Sequence, residues 1–302
     1  FEQKSWDQIE KAGSLILNSG EAPDLLEYNK GNAIAGLAAS QGLLTDLTDV
    51  AAERGWDKTL TSSELLLSRY DDRGIFGTGP IWGIPDYGEF VAVYYNKNMF
   101  KDLGLEVPKT LPEFKKVMDA FVAKGITPIA TAANDYPAQH LLTELALSKA
   151  TPEWVQNYQG LKAPLDPAPY LYGAQTLQDW VKGYVSKDAT GLKATDMETL
   201  FETGKAPMVV SGTWFGGGFK SKIKDFEWGQ FLFPGNTISS GSTGNIWVVP
   251  KSAKHKDWAY EFIDITLSKD NQALLGNSGG VPVAADPASL TDPVGLMMTE
   301  NF

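Results

Sequence analysis

Apolar residues recur along the chain with two alternating periods. Between Trp6 and Asn18, Ile9, Ala12, Leu15 and Ile16 share one face of a helix, and Gly20 stops it. Pro23–Tyr28 reads as a short strand behind a turn, and Asn29–Gln41 as an alanine-rich helix ended by Gly42. Gly77–Pro80 has the composition of a loop. Phe90–Tyr95 is continuously apolar, β-branched and aromatic, the pattern of a buried strand. Thr110 caps a helix that opens at Leu111-Pro112 and runs to about Lys124 before Gly125. A strand at 127–131, a helix from Ala138, a proline-marked loop at 164–169 and a helix over 170–187 follow. Next come a strand at 206–211 and a tight turn at Gly216-Gly217-Gly218. Strands at 228–233 and 246–250 flank a polar loop at 236–243. Helices then run over 257–268 and from Asp270.

This alternation is the mark of an α/β fold. At 302 residues the chain is long for one core and suits two lobes. No composition break divides it, so the chain is expected to cross between the lobes more than once. The net charge of -11 disfavours nucleic acid and anionic lipid as partners, because both need basic patches. There is no cysteine, which excludes disulfides and cysteine-based metal sites and fits an exported protein. No run of about 18 apolar residues is present. The chain opens on Phe1 with no Met and no signal peptide in view, as expected of a processed or partly covered chain.

Catalytic and cofactor patterns were weighed first. Gly216–Gly218 lacks the Gly-Lys-Ser/Thr ending of a phosphate loop and reads as a plain turn. His140 and His255 have no partners at ligand spacing, so no metal or cofactor is expected. Four aromatic-polar clusters stand out instead: Tyr28-Asn29, Tyr87 with Glu89, Asp135-Tyr136, and Trp214-Phe215. Each lies where a strand meets the next element, the edge at which open α/β sheets collect ligands. A ring beside carboxylates and amides suits a sugar, whose C–H face packs on the ring while its hydroxyls are hydrogen-bonded. Each cluster alone has an ordinary reading. A ring at a strand end packs in the core, Asp135 caps the helix after Pro137, and Glu89 sits in a solvated turn. Trp82 and Trp247 read as core.

Several segments, in order, resemble the family-1 extracellular solute-binding proteins of ABC importers, the maltose-binding-protein-like group. They are Ser19–Leu26, Val93–Phe100, Leu103–Thr110, Gly204–Trp214, Val249–Ser252 with Trp258–Leu267, and Gly279–Val283. The resemblance implies a two-lobed periplasmic-binding-protein fold (type II), with hinge crossovers near Phe90–Tyr95 and Phe233–Gly241 and ligand in the interlobe cleft. Residues 1–92 and 236–285 would form lobe 1, and 93–235 and 286–302 lobe 2. Family members also carry a strand and helix ahead of the segment matching Phe1, and more chain beyond that matching Phe302.

Carried over by position, the resemblance implies ligand contacts from Tyr28, Asn29, Tyr87, Glu89, Asp135, Tyr136, Trp214 and Phe215. Glu89 and Asp135 would accept hydroxyl hydrogens from opposite lobes. The implied role is reversible, non-enzymatic binding of a carbohydrate, an oligosaccharide in particular, by a monomer serving membrane permease subunits. The implied location is the periplasm, or the cell surface as a lipoprotein. Two other readings stay open. One is a non-sugar solute such as a polyol phosphate, against which stand only three arginines, Arg54, Arg69 and Arg73. The other is a glycoside hydrolase using Glu89 and Asp135 as its carboxylates.

Overall fold

The computed structural model describes residues 1–300; residues 301–302, the end of the expected second lobe, lie outside the described residues. The chain first builds α1 (Trp6–Leu17), β1 (Leu26–Tyr28), α2 (Leu37–Ser40), α3 (Thr48–Arg54), α4 (Trp56–Thr59), β2 (Arg69–Tyr70), β3 (Phe76–Ile81) and β4 (Ile84–Pro85). It then passes through the ten-residue strand β5 (Tyr87–Asn96). Beyond it come α5 (Lys97–Asp102), α6 (Leu111–Val122), β6 (Ile129–Ala130), α7 (Pro137–Leu147), α8 (Pro152–Gln159) and α9 (Ala168–Trp180). This half closes with α10 (Ala194–Glu202), β7 (Met208–Gly212), α11 (Gly216–Lys222) and β8 (Trp228–Phe231). The return leg holds β9 (Gly241–Thr243), β10 (Ile246–Val248), α12 (Lys256–Leu267), α13 (Lys269–Asn277), β11 (Val281–Pro282) and α14 (Pro293–Thr299).

Local chemistry sets the helix starts. Ser5 and Gln8 form a capping box at α1, and Thr110 and Glu113 form one at α6. Each box satisfies two of the amide hydrogens that a helix start leaves free. Along α6, Phe114, Val117, Met118 and Phe121 repeat at helical spacing and are buried together.

The molecule is a two-lobed α/β protein with separate cores. In the first, Trp56, Leu60, Ile84 and Ile263 pack in one cluster, and Tyr28, Ala38, Tyr70 and Ile246 in a second. In the other body Phe114, Phe121, Leu141 and Met208 pack together, beside a cluster of Tyr94, Phe201, Phe219 and Met298. A three-stranded antiparallel sheet, β1-β10-β4, serves the first body. In the second, β5 runs antiparallel to β7 and β8, and β6 is parallel to β7. Strand β5 changes neighbours along its length. Tyr87–Phe90 pair with β9 and β11, and Val91–Asn96 with β7 and β8.

Several sequence expectations are corrected. Gly77–Pro80 is part of strand β3, not a loop. Gly77 and Gly79 adopt φ of 104° and 90°, and a Cβ on Gly79 would lie 2.4 Å from the Tyr70 carbonyl oxygen, so glycine permits an irregular hairpin there. Gly216–Gly218 opens a helix rather than a turn. A Cβ on Gly216 would lie 2.4 Å from the Met298 methyl and 2.8 Å from the Gly279 carbonyl oxygen, so glycine serves close packing. The segment 29–41 is helical only from Asn32, first as a wide π turn and then as α2. Helix α9 stops at Trp180, and Val185 instead bridges to Ile129. Trp82 and Trp247 both pack at the edge of the first body's cores.

One buried carboxyl ties the second body to the returning chain. Glu144, on α7, is fully buried. It accepts hydrogen bonds from the Asn236 amide (2.8 Å) and the Ser240 N–H (3.1 Å). Burial outweighs these donors and pushes its pKa from 4.5 up to about 8. A folded pKa above the unfolded one means that this stabilisation is complete below about pH 4.5 and is lost as pH rises towards 8. His140, whose pKa burial lowers from 6.5 to about 4, acts with the opposite sign and only below pH 6.5. Thermal unfolding followed from pH 6.5 to 8.5 should therefore show falling stability in the wild type. The slope should be much flatter in Glu144→Gln, which keeps a neutral side chain throughout.

Candidate ligand-binding cleft

Strand β7 ends at Gly212, and the next two residues organise one wall of the cleft. The Thr213 hydroxyl accepts a hydrogen bond from the Phe90 N–H (3.3 Å), fixing the end of β7 to β5. Trp214 then folds back over Gly212, where a Cβ would meet its ring at 1.9 Å. Its ring lies 5.4 Å from that of His140 and 6.3 Å from that of Tyr136, and those two are 5.5 Å apart. Trp214 is 39% exposed and Tyr136 36%, so these two rings face solvent, with His140 half-buried against them. Exposure of large rings held in fixed mutual geometry is unusual and points to a ligand. His140 is neutral at ordinary pH because burial lowers its pKa to about 4. Burial also raises the Tyr136 phenol above its usual value. The wall is therefore aromatic and uncharged, and the Tyr136 hydroxyl is hydrogen-bonded to the Trp214 side chain.

Asp135 borders this surface but caps a different helix from the one expected. Its two carboxylate oxygens accept from the Ala194 N–H, at 2.9 and 3.1 Å, at the start of α10. Tyr136 precedes α7 and makes no side-chain cap there. The Asp135 side chain is exposed and keeps lone pairs free for further donors.

The second group lies around the start of β5. Tyr87 and Glu89 alternate with Gly88 and share a face of the strand. The Tyr87 hydroxyl donates to Glu27 (3.2 Å) and accepts from the Asn245 N–H (3.1 Å), and its ring lies over Gly244. Burial, then the charges of Glu27 and Glu89, push the Tyr87 phenol well above its usual range. Burial likewise raises the Glu27 carboxyl. Glu89 is ion-paired with Lys30, which also donates to the Thr243 carbonyl oxygen. Both ends of that pair are about one-fifth exposed. The two groups meet where β5 joins β7, since Glu89 adjoins Phe90 and Trp214 adjoins Thr213. The bodies also touch directly: Asn32 donates to the Gln159 carbonyl oxygen (2.9 Å) while its own amide oxygen accepts from Phe76.

Two expected contacts have gone elsewhere. Tyr28 is only 3% exposed, and its ring packs against Gly13 in the first core, leaving Asn29 as the partly exposed member of that pair. Phe215 turns towards Phe219 (5.6 Å) at the margin of the second core. Three residues outside the expected contacts lie near them: His140 against Trp214, Lys30 paired with Glu89, and Asn32 two residues beyond Lys30. His140 lies four residues after Tyr136 on one helix face, a spacing that could have revealed it. Lys30 and Asn32 have no comparable local signal, because their partners are 59 and 127 residues away.

A family model described as bacterial extracellular solute-binding protein matches residues 1–273. The chain is 27% identical over 222 residues to the multiple sugar-binding protein of Streptococcus mutans, covering 68% of this chain and 51% of that protein. It is 23% identical over 279 residues to a maltooligosaccharide ABC transporter solute-binding lipoprotein of Streptococcus pneumoniae, covering 87% of this chain and 60% of that one. The chain thus spans between half and three-fifths of the length of these relatives. The solved structure of a chitin oligosaccharide binding protein matches in fold with a TM-score of 0.83 at 24% identity, over 99% of this chain and 76% of that one.

The Trp214 pose depends on the bare backbone beneath it. Gly212→Ala should leave the protein folded, at a cost of about 1–3 kcal/mol for the forced shift. It should also change the near-ultraviolet circular dichroism and tryptophan emission. Unchanged spectra would show that the ring does not rest on Gly212.

Proposed function

We propose, on the premise that this chain belongs to the bacterial extracellular solute-binding protein family, that it binds a carbohydrate reversibly and delivers it to an ABC importer. The carrying observation is the exposed ring pair of Trp214 and Tyr136, backed by His140, beside the Asp135 carboxylate. A pyranose C–H face would lie on Trp214, with its hydroxyls donating to Asp135 and exchanging hydrogen bonds with Asn29 and the Tyr136 hydroxyl. The sugar-binding names of the relatives support the same class.

The lobes divide at residues 92/93, 235/236 and 285/286, and closure turns on β5 and the segment 233–241. Ligand held by residues of both lobes stabilises the closed arrangement by the difference in its affinity for the two. The protein works outside the cytoplasm, free or lipid-anchored, as a monomer meeting permease subunits. No helix among the described residues is long and apolar enough to cross a membrane.

Binding without chemistry fits the carboxylates better than hydrolysis does. Glu89 is neutralised by Lys30, and Asp135 is held by a helix N-terminus. Each carboxylate already serves a structural partner, so neither is set apart for proton transfer. An anionic solute is served poorly, because all three arginines are engaged away from these residues. Arg54 pairs with Asp264, Arg69 donates to the Gly79 carbonyl and Arg73 pairs with Asp71.

Calorimetry against mono- and oligosaccharides should find a ligand bound without turnover. Trp214→Ala should weaken it roughly ten- to hundredfold, the worth of one buried aromatic face. Unchanged affinity in Trp214→Ala, or release of hydrolysis products, would refute the assignment.

A further inference from the structure

A second exposed aromatic face lies on α8 and α9, away from Trp214. The rings of Trp154 and Tyr158 are stacked 5.3 Å apart and 5° from parallel, and Tyr170 closes the group at 5.4 and 5.6 Å. Trp154 is the fixed base. It is 9% exposed, its indole N–H donates to the Asp166 carbonyl (2.7 Å), and its backbone N–H is capped by Thr151. Tyr158 rests on that base and is 42% exposed. A phenol ring held flat on a rigid indole, with its outer side in solvent, has lost its own freedom before any ligand arrives.

The position of this face connects it to the cleft. Gln159, the residue after Tyr158, accepts the hydrogen bond from Asn32, so Tyr158 sits where the two bodies touch. Tyr170 is hydrogen-bonded to Thr143 on α7. Thr143 is three residues, about one turn, beyond His140, which packs on Trp214. Tyr170 thus reaches the helix, α7, that carries His140 against Trp214. A groove of about 240 Å³ opens beside Trp154 and brings the polar side chains Lys149, Glu153 and Asn157 to its rim.

We infer that Tyr158, backed by Trp154 and Tyr170, is a distal stacking subsite, which makes the ligand class an oligosaccharide of three or more units. The inference rests on the carbohydrate reading above. Two separate stacking faces, linked through Tyr170, Thr143 and His140, suit a chain of rings, since a single hexose can lie on only one of them.

Calorimetry with glucose, maltose, maltotriose and maltotetraose, and with xylo- and chito-oligosaccharides of the same lengths, tests it. In whichever series binds, affinity should rise up to at least the trisaccharide. Tyr158→Ala should cost roughly tenfold for the tri- and tetrasaccharides and less than twofold for the disaccharide. Tyr158→Phe should restore the trisaccharide affinity, and Trp214→Ala should weaken every length. Loss in Trp214→Ala with none in Tyr158→Ala, or equal loss at all lengths in Tyr158→Ala, removes the distal subsite and leaves the carbohydrate reading standing. Binding of no member of the panel removes both.

Discussion

Backbone hydrogen bonding along β5 ties the two bodies together. A strand ten residues long needs partners for its N–H and C=O groups wherever it is buried. Here the partners come from different places: β9 and β11 at Tyr87–Phe90, β7 and β8 from Val91 onward. One continuous strand therefore takes part in the sheets on both sides. The exchange of partners falls where Phe90 donates to Thr213. Trp214, Glu89 and Tyr87 gather at that point because the strand cannot change sheets without leaving the ends of its neighbours nearby. The proposed contacts and the strand's change of neighbours therefore fall in one stretch of chain.

Charge is managed around this junction with care. Glu89 has Lys30, Asp135 has the first turn of α10, and Glu144 is buried deeply enough to stay protonated near neutral pH. His140 is kept neutral by the same desolvation. The chain as a whole carries -11, yet its aromatic wall holds no net charge of its own. An uncharged wall with fixed dipoles at its edge discriminates by shape and hydrogen bonding, since unpaired buried polar groups are costly.

Much of this was legible in the sequence where the signal is local. The Thr110 cap with the helix behind it and the buried run at Phe90–Tyr95 follow from spacing and side-chain type. The first three residues of β5 were not legible as strand, because they are held by β9 and β11, far away in sequence. Glycine misled twice for one reason: at Gly79 and Gly216 it answers close approach by distant backbone and side chains, not a turn. Trp214 and Tyr136 stand out by residue type at strand ends, and the structure brings their rings to 6.3 Å of each other. Tyr28 has the same type and position but faces Gly13 inside the core, and sequence alone does not tell which way a strand-end ring points. Lys30 and Asn32 act through partners in other segments, and such pairings leave no periodic trace.

The hydrogen bond from Asn32 to the Gln159 carbonyl is a direct tie between the bodies away from β5. It is solvent-exposed, and a bond of that kind contributes about 0.5–1.5 kcal/mol net. That is only a few multiples of thermal energy. The tie can steady an arrangement that cargo already favours, but it is too weak to hold an empty molecule shut. On the proposed reading, occupancy is written into the lifetime of the shut form, and a receiving complex reads loaded from empty by how long the molecule stays closed.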